Sequence, residues 1–222
     1  GLAIDVATLM AAAVPEAGAA APAALRAIAD AGVTRRMALA GALVHERLGP
    51  AGAARLATHA SDTVRGWSAY AIAAEPGVAL AERLARVRPL ADDAHFAVRE
   101  WAWLALRPHI AAGIDEAIAR LVPWTREPSE RLRRFAAEAT RPRGVWSAHV
   151  AALVADPAHG LPLLEPLRAD PSRYVQDSVA NWLNDAAKSC PDWVRATCAR
   201  WGAESPGPAT ARIRARATRS LA

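Results

Sequence analysis

Apolar residues along this chain recur with the three-to-four-residue spacing of amphipathic helices. Alanine, leucine and arginine dominate, and glycine and proline separate the apolar stretches. Runs with the alternating pattern of strands are absent. Prolines are expected to bound helices of roughly 10 to 16 residues, and those prolines are Pro15, Pro50, Pro76, Pro108, Pro123, Pro142, Pro157, Pro171 and Pro191. The pattern predicts an all-α protein with short connections between antiparallel helices.

The predicted helix starts repeat along the chain. An apolar residue followed by an arginine, once by a glutamine, recurs at intervals of 34, 34, 43 and 38 residues. The five pairs are Val64 and Arg65, Val98 and Arg99, Leu132 and Arg133, Val175 and Gln176, and Ile213 and Arg214. Before the first three pairs stand residues that can cap a helix: Ser61 or Asp62, Asp92 or Asp93, and Ser129. This spacing predicts HEAT-like helical pairs forming one solenoid domain over residues 1–222.

The charge of the chain favours an anionic partner. The formal net charge is +5, and Lys188 is the sole lysine, so nearly all the basic residues are arginines. Arginine binds phosphate through a bidentate fork, and stacked second helices would present arginines on a basic concave face where nucleic acid could lie. The alternative is that these arginines form ordinary salt bridges within and between repeats.

Other classes of site have little support in the sequence. No apolar run approaches the roughly 20 residues that span a bilayer, so no membrane association is expected. The apolar opening stretch contains Asp5 and lacks a basic leader, so it is not interpreted as a signal peptide, and the cytoplasm is the expected location. Cys190 and Cys198 are expected to be structural thiols. The histidines form no metal-binding motif, so neither a metal nor another cofactor is predicted.

The interval of 43 residues contains an insertion with a concentration of polar chemistry. From Arg133 to Trp146 it holds four arginines, Glu138 and a tryptophan, around Pro142, which must break the helix. Forty-seven residues after Glu138 comes Asp185, one helical turn beyond Asn181 and on the same face. A polar cluster is therefore expected at a helix end.

At these residues the sequence resembles the DNA alkylation repair family of HEAT-like glycosylases, more closely in its AlkC branch than in its AlkD branch. The resemblance covers about residues 30–203. The segments that carry it read Asp-Thr-Val-Arg-Gly-Trp from Asp62, Arg-Arg-Phe-Ala-Ala-Glu from Arg133 and continuing to Trp146, and the stretch from Tyr174 to Lys188 with its Val-Ala-Asn and Leu-Asn-Asp cores. A weaker segment reads Leu-Ala-Leu-Arg-Pro from Leu104 to Pro108.

The resemblance implies a monofunctional DNA glycosylase that hydrolyses the N-glycosidic bond of N3- or N7-alkylated bases, such as 3-methyladenine, in duplex DNA. A monomer is expected. It implies that Asp185 and Glu138 face the sugar and water, and that Trp146 forms a wall against the lesion. The residues expected to hold or orient DNA are Arg134, Arg141, Arg143, Trp103 and Trp182. Because an alkylated base is already cationic, such an enzyme has only to stabilise the oxocarbenium-like sugar and position water.

One position departs from the family pattern. Where the family has a catalytic acidic residue, the gapless alignment to Glu138 places Trp103. Glu100, three residues earlier, could substitute for that acid. The alternative is a non-catalytic helical-repeat module that binds DNA or protein, in which Trp103 fills the place of the acid and arginines engage the two carboxylates. Strand cleavage by a lyase reaction is not expected, because Lys188 is the only side-chain amine.

Overall fold

The computed structural model describes residues 4–144 and 147–221, and within these ranges the regular structure is helical, with no strand. The α-helices are α1 (Val6–Ala13), α2 (Ala20–Arg26), α3 (Val33–Leu56), α4 (Asp62–Ala74), α5 (Leu80–Ala91), α6 (Phe96–Ala112), α7 (Ile114–Leu121), α8 (Glu130–Ala139), α9 (Ala151–Ala155), α10 (Leu161–Leu164), α11 (Arg173–Ala187), α12 (Pro191–Glu204) and α13 (Pro208–Ala217). Short 3₁₀ turns lie at Pro15–Ala17, Val122–Arg126, Pro157–Gly160 and Glu165–Leu167. The all-α, HEAT-like class predicted from the sequence is confirmed.

The chain divides into two compact units, one ending at Leu106 and the other beginning at Arg107. In the first unit, α3 packs along α4, and α4 also contacts α5. In the second, α11 lies against α8, α12 and α13. The predicted single domain and its basic concave face both concern the arrangement of the two units, and they stay predictions.

The repeating sequence pairs mark the second helices, as predicted. The apolar member of each of the five pairs is buried in α4, α6, α8, α11 or α13. The second member has a structural role in the first three repeats, because it donates hydrogen bonds to the two carbonyl groups six and five residues before it. Arg65 donates to His59 and Ala60, Arg99 to Asp93 and Ala94, and Arg133 to Glu127 and Pro128, at 2.8–3.1 Å.

These arginines also link successive repeats. Arg65 binds Asp93 at 2.8 Å, and Arg133 binds Asp170 at 2.7 Å, each through two nitrogens of the guanidinium. Gln176 replaces arginine in the fourth pair and donates to the carbonyl of Asp170 at 2.7 Å. The salt-bridge alternative is therefore correct for Arg65 and Arg133, whose guanidinium groups donate hydrogen bonds to carboxylates and carbonyl groups of the same chain.

Two predicted helix boundaries have different outcomes. Pro50 coincides with a break, because Gly49 within α3 adopts φ of 62° and kinks the helix there. Pro108 does not end a helix, since α6 continues through it to Ala112. Leu106 and Ile110, on either side of Pro108, are both fully buried, so their packing outweighs the one backbone hydrogen bond that proline removes.

Candidate functional site

The centre of the candidate site is a buried ion network between the end of α8 and the last turns of α11. Arg141, two residues beyond α8, places Nε and Nη2 each 2.8 Å from Oδ2 of Asp185. The same guanidinium donates from Nη1 to Oε1 of Glu138 at 2.8 Å. Glu138 and Asp185 are each 4% exposed. The two predicted carboxylates, far apart in sequence, are therefore brought onto opposite edges of one guanidinium.

Glu138 has further partners that favour its charged form. Ser178 of α11 donates to its Oε2 at 2.6 Å, and Arg134, one helical turn earlier in α8, lies 3.6 Å from the same oxygen. Burial by itself would raise the pKa of Glu138, but Arg134 and Arg141, together with the Ser178 hydroxyl, hold it below the ordinary value of 4.5. The carboxyl group is accordingly anionic at neutral pH.

Asp185 differs from Glu138 because a surface residue reaches it. Its Oδ1 lies 3.5 Å from the Nζ of Lys188, a side chain that is half exposed at the end of α11. Arg143 donates to the hydroxyl of Ser189, the next residue, at 2.5 Å. Asp185 thus lies beneath a surface formed by Lys188, Ser189 and Arg143, while Glu138 is enclosed by α8 and α11.

A second buried arginine, Arg107, binds the backbone of the insertion. Arg107 of α6 donates to the carbonyl groups of Ala139 at 3.1 Å, Arg141 at 2.5 Å and Ala148 at 3.2 Å. Ala139 and Arg141 belong to the insertion and Ala148 lies just after it, so one guanidinium binds backbone carbonyl groups within the insertion and beyond it. Burial lowers the pKa of Arg107 to about 10, with the nearby Arg141 adding to the effect.

Two members of this arrangement, Arg107 and Ser178, are not among the residues predicted from the sequence. Ser178 precedes Trp182 by one helical turn, so its direction toward α8 could have been inferred from helical spacing. Arg107 belongs to the weaker similar segment, and its role depends on contacts 32 to 41 residues away. No local pattern indicates such contacts.

The tryptophans predicted to contact DNA are packed inside the protein. Trp182 has no exposed surface, and its indole nitrogen donates to the carbonyl of Thr140 at 3.0 Å. Trp103 is also buried and donates to Oε2 of Glu100 at 2.8 Å. Side chains enclosed in this way cannot touch DNA in this conformation, so both are assigned to packing. Trp146 lies outside the described residues.

The predicted basic residues take three different positions. Arg141 is engaged by the two carboxylates, as described above. Arg134 stacks on the ring of Tyr174, with its guanidinium carbon 4.5 Å from the ring centroid, and its side chain is largely buried. Arg143 is half-buried above Ser189. Of the three, Arg143 is the one placed at the surface of the site.

Within residues 4–144 and 147–221, no cluster of three or more metal-ligating side chains is found. In the same ranges, no helix combines the length and the apolarity needed to cross a bilayer.

Comparison with solved structures finds three that are similar to this chain. The chain is similar to Pseudomonas fluorescens alkylpurine DNA glycosylase AlkC bound to DNA containing an abasic site analog. The two are 29% identical with a TM-score of 0.74, and the match covers 97% of this chain and 61% of that chain. The chain is also similar to AlkD2 from Streptococcus mutans (21% identity, 77% of this chain and 79% of that chain, TM-score 0.64). A third similar structure is smu.31 from Streptococcus mutans UA159, with 20% identity, coverage of 77% and 82%, and a TM-score of 0.64.

The sequence comparisons cover less of the chain. A segment of 70 residues, 32% of this chain, is 43% identical to the uncharacterized protein YhaZ from Bacillus subtilis strain 168, of which it covers 20%. No protein-family model matches the chain. The chain therefore spans less than two thirds of YhaZ and of AlkC. Identity, coverage of this chain and TM-score are all higher for AlkC than for the two Streptococcus proteins, and the chain shares the helical-repeat architecture of the AlkC/AlkD family, within which it is closer to the AlkC branch.

Proposed function

We propose that this chain is the helical-repeat part of a monofunctional DNA glycosylase that excises N3- or N7-alkylated purines from duplex DNA. The observation that carries the proposal is the pair of carboxylates, Glu138 and Asp185, held on the single guanidinium of Arg141. The similarity to AlkC, an alkylpurine DNA glycosylase bound to abasic DNA, supports the same assignment. No cofactor is required, because the cationic base is already a good leaving group.

The two carboxylates have different roles in this proposal. Asp185, beneath Lys188 and the insertion, is the anion that faces the oxocarbenium-like sugar and the attacking water. Glu138 is enclosed by Ser178, Arg134 and Arg141, so it acts by holding Arg141, and through it Asp185, in place. Trp146 remains the proposed wall against the lesion, and Arg143 the proposed phosphate contact.

The experiment is release of methylated purine from a methylated duplex by the purified protein, measured chromatographically against the uncatalysed rate. Asp185→Asn keeps the size of the side chain and is expected to reduce the rate by orders of magnitude while duplex binding changes little. Asp192→Asn removes an exposed carboxylate of α12 and is the matched control, with the rate of the parent. Equal rates for the Asp185 and Asp192 variants would remove Asp185 from the mechanism.

A second candidate function is a non-catalytic module that binds duplex DNA. Two points favour it: the gapless alignment to Glu138 places Trp103 where the family has an acidic residue, and Arg141 engages both carboxylates. A parent protein that binds the methylated duplex but releases no base above the uncatalysed rate would establish this function. Strand cleavage at abasic sites, followed on the same substrate, is expected to stay at background in either case.

A further inference from the structure

The two oxygens of the Asp185 carboxylate have different partners. Oδ2 lies 2.8 Å from both Nε and Nη2 of Arg141, a side chain that is largely buried. Oδ1 faces the ammonium of Lys188, whose Nζ lies 3.5 Å away and whose side chain is 52% exposed. One oxygen is therefore held by a buried guanidinium, and the other is paired with a cation at the surface.

The pair between Lys188 and Asp185 can open without disturbing the buried network. Its length of 3.5 Å exceeds the roughly 2.7–2.9 Å of a charge-assisted hydrogen bond. Lys188 directly follows the last residue of α11, and its ammonium is carried on a flexible aliphatic stem. Because an ion pair with an exposed member contributes little net free energy, the ammonium can exchange Asp185 for water at small cost. Oδ1 would then be uncovered while Arg141 stays in place.

Lysine at this position contrasts with the rest of the chain. Of the 27 lysine and arginine residues, Lys188 is the sole lysine. Arginines elsewhere bind carboxylates through two nitrogens, as Arg65 binds Asp93. An arginine in place of Lys188 could bind Asp185 in the same forked way and would be held more firmly. Lysine therefore gives Asp185 a positive neighbour that is easier to displace.

The reaction brings a second cation toward the same carboxylate. As the bond to the base breaks, positive charge develops on the sugar, and a nearby anion stabilises it. The ammonium of Lys188 carries the same charge as this sugar, so the two compete for Oδ1 of Asp185. We propose that Lys188 is the resting counter-ion of Asp185, an autoinhibitory contact that the cationic sugar displaces. This inference rests on the proposed function for its choice of ligand.

The test uses two DNA duplexes that differ in the charge of one abasic-site analogue. The first contains a pyrrolidine analogue, which is cationic at neutral pH, and the second contains a neutral tetrahydrofuran analogue. Dissociation constants for both duplexes are measured by fluorescence anisotropy. The constant for the neutral duplex divided by that for the cationic duplex is the cation preference, in which contacts common to both duplexes cancel.

Two substitutions of Lys188 are expected to change the cation preference in opposite directions. Lys188→Met removes the competing charge and is expected to raise the preference about two- to five-fold, as for loss of a partly exposed ion pair. Lys188→Arg keeps the charge and can bind Asp185 more firmly, so it is expected to lower the preference. Changes in the same direction for both variants would overturn the proposal, because they would indicate a packing role for the side chain.

The matched control is Arg195→Met. It removes the same charge from a side chain of similar exposure, 54%, on α12, and is expected to leave the cation preference at the value of the parent. Equal preferences for Lys188→Met and Arg195→Met would overturn the proposal. In an Asp185→Asn background, Lys188→Met is expected to have no effect on the preference, because the competition requires the carboxylate. An effect that persists in that background would also overturn it.

Base release by the parent protein separates this inference from the proposed function. If the parent releases no methylated base while Lys188→Met raises the cation preference, the glycosylase assignment is refuted and the counter-ion role of Lys188 stands. If the parent releases base while both Lys188 variants keep its cation preference, the counter-ion role alone is refuted.

Discussion

Replacing Arg141 by glutamine tests whether the buried ion network holds the two carboxylates as the structure indicates. Arg141 contacts both Glu138 and Asp185, and both of these are 4% exposed. Removing one partner from a buried ion pair leaves uncompensated charge and costs about 3–5 kcal/mol. Arg134 near Glu138 and Lys188 near Asp185 offset part of this charge, so the lower end of the range, about 3 kcal/mol, is expected.

The assay is urea unfolding at neutral pH, followed by circular dichroism. With a denaturant slope of about 2 kcal/mol per molar, a loss of about 3 kcal/mol lowers the midpoint by about 1.5 M. Arg141→Lys keeps the charge but cannot reach both carboxylates in the forked geometry of arginine, so an intermediate loss is expected. Arg195→Gln breaks an exposed pair with Asp192 and is expected to cost at most about 1 kcal/mol.

The comparison between the buried and the exposed pair decides the outcome. If Arg141→Gln lowers the midpoint no more than Arg195→Gln does, then water compensates Glu138 and Asp185 as it compensates a surface pair. In that case the network does not hold the carboxylates in place, and the positioning role given to Glu138 is refuted.

Three further predictions concern single positions. The pKa of Glu138 is lowered in the folded state, so its stabilising effect is complete above about pH 5 and is lost as the pH falls below the ordinary value of 4.5. Glu138→Gln should therefore flatten the pH dependence of the free energy of unfolding below about pH 5, and an unchanged profile would contradict this. A Cβ on Gly160 would overlap the fully buried ring of Trp182, so Gly160→Ala should lower the free energy of unfolding by about 1–3 kcal/mol in urea unfolding. Gly113→Ala is the control: no atom lies closer than 4.0 Å to the added Cβ, so the loss should be less than about 1 kcal/mol. Phe96 is 65% exposed, so Phe96→Ser should change the melting temperature little, and a loss comparable to that of Gly160→Ala would mean that this side chain is covered in solution.

Much of the fold follows from local regularities in the sequence. The apolar member of each repeated pair, from Val64 to Ile213, is buried within a second helix, because helical spacing and burial are coupled through the amphipathic face. Glu138 and Asp185 belong to the sequence segments that carry the family resemblance, and these segments predict both residues as site residues. The prediction that Pro108 bounds a helix is wrong, since proline is a local signal and packing on both sides of it outweighs its effect.

Tertiary structure alone decided what the charged residues do. Sequence shows that Arg65, Arg133, Arg107 and Arg141 are basic, and it cannot distinguish a guanidinium that binds phosphate from one that binds a carbonyl or a carboxylate. For each of the four arginines at least one partner lies 28 to 44 residues away, which local spacing does not specify. Helical periodicity arises from contacts within a few residues, so the sequence alone is enough to predict it. The pairing of buried charges arises from how separate helices meet, and it exists only once they have packed.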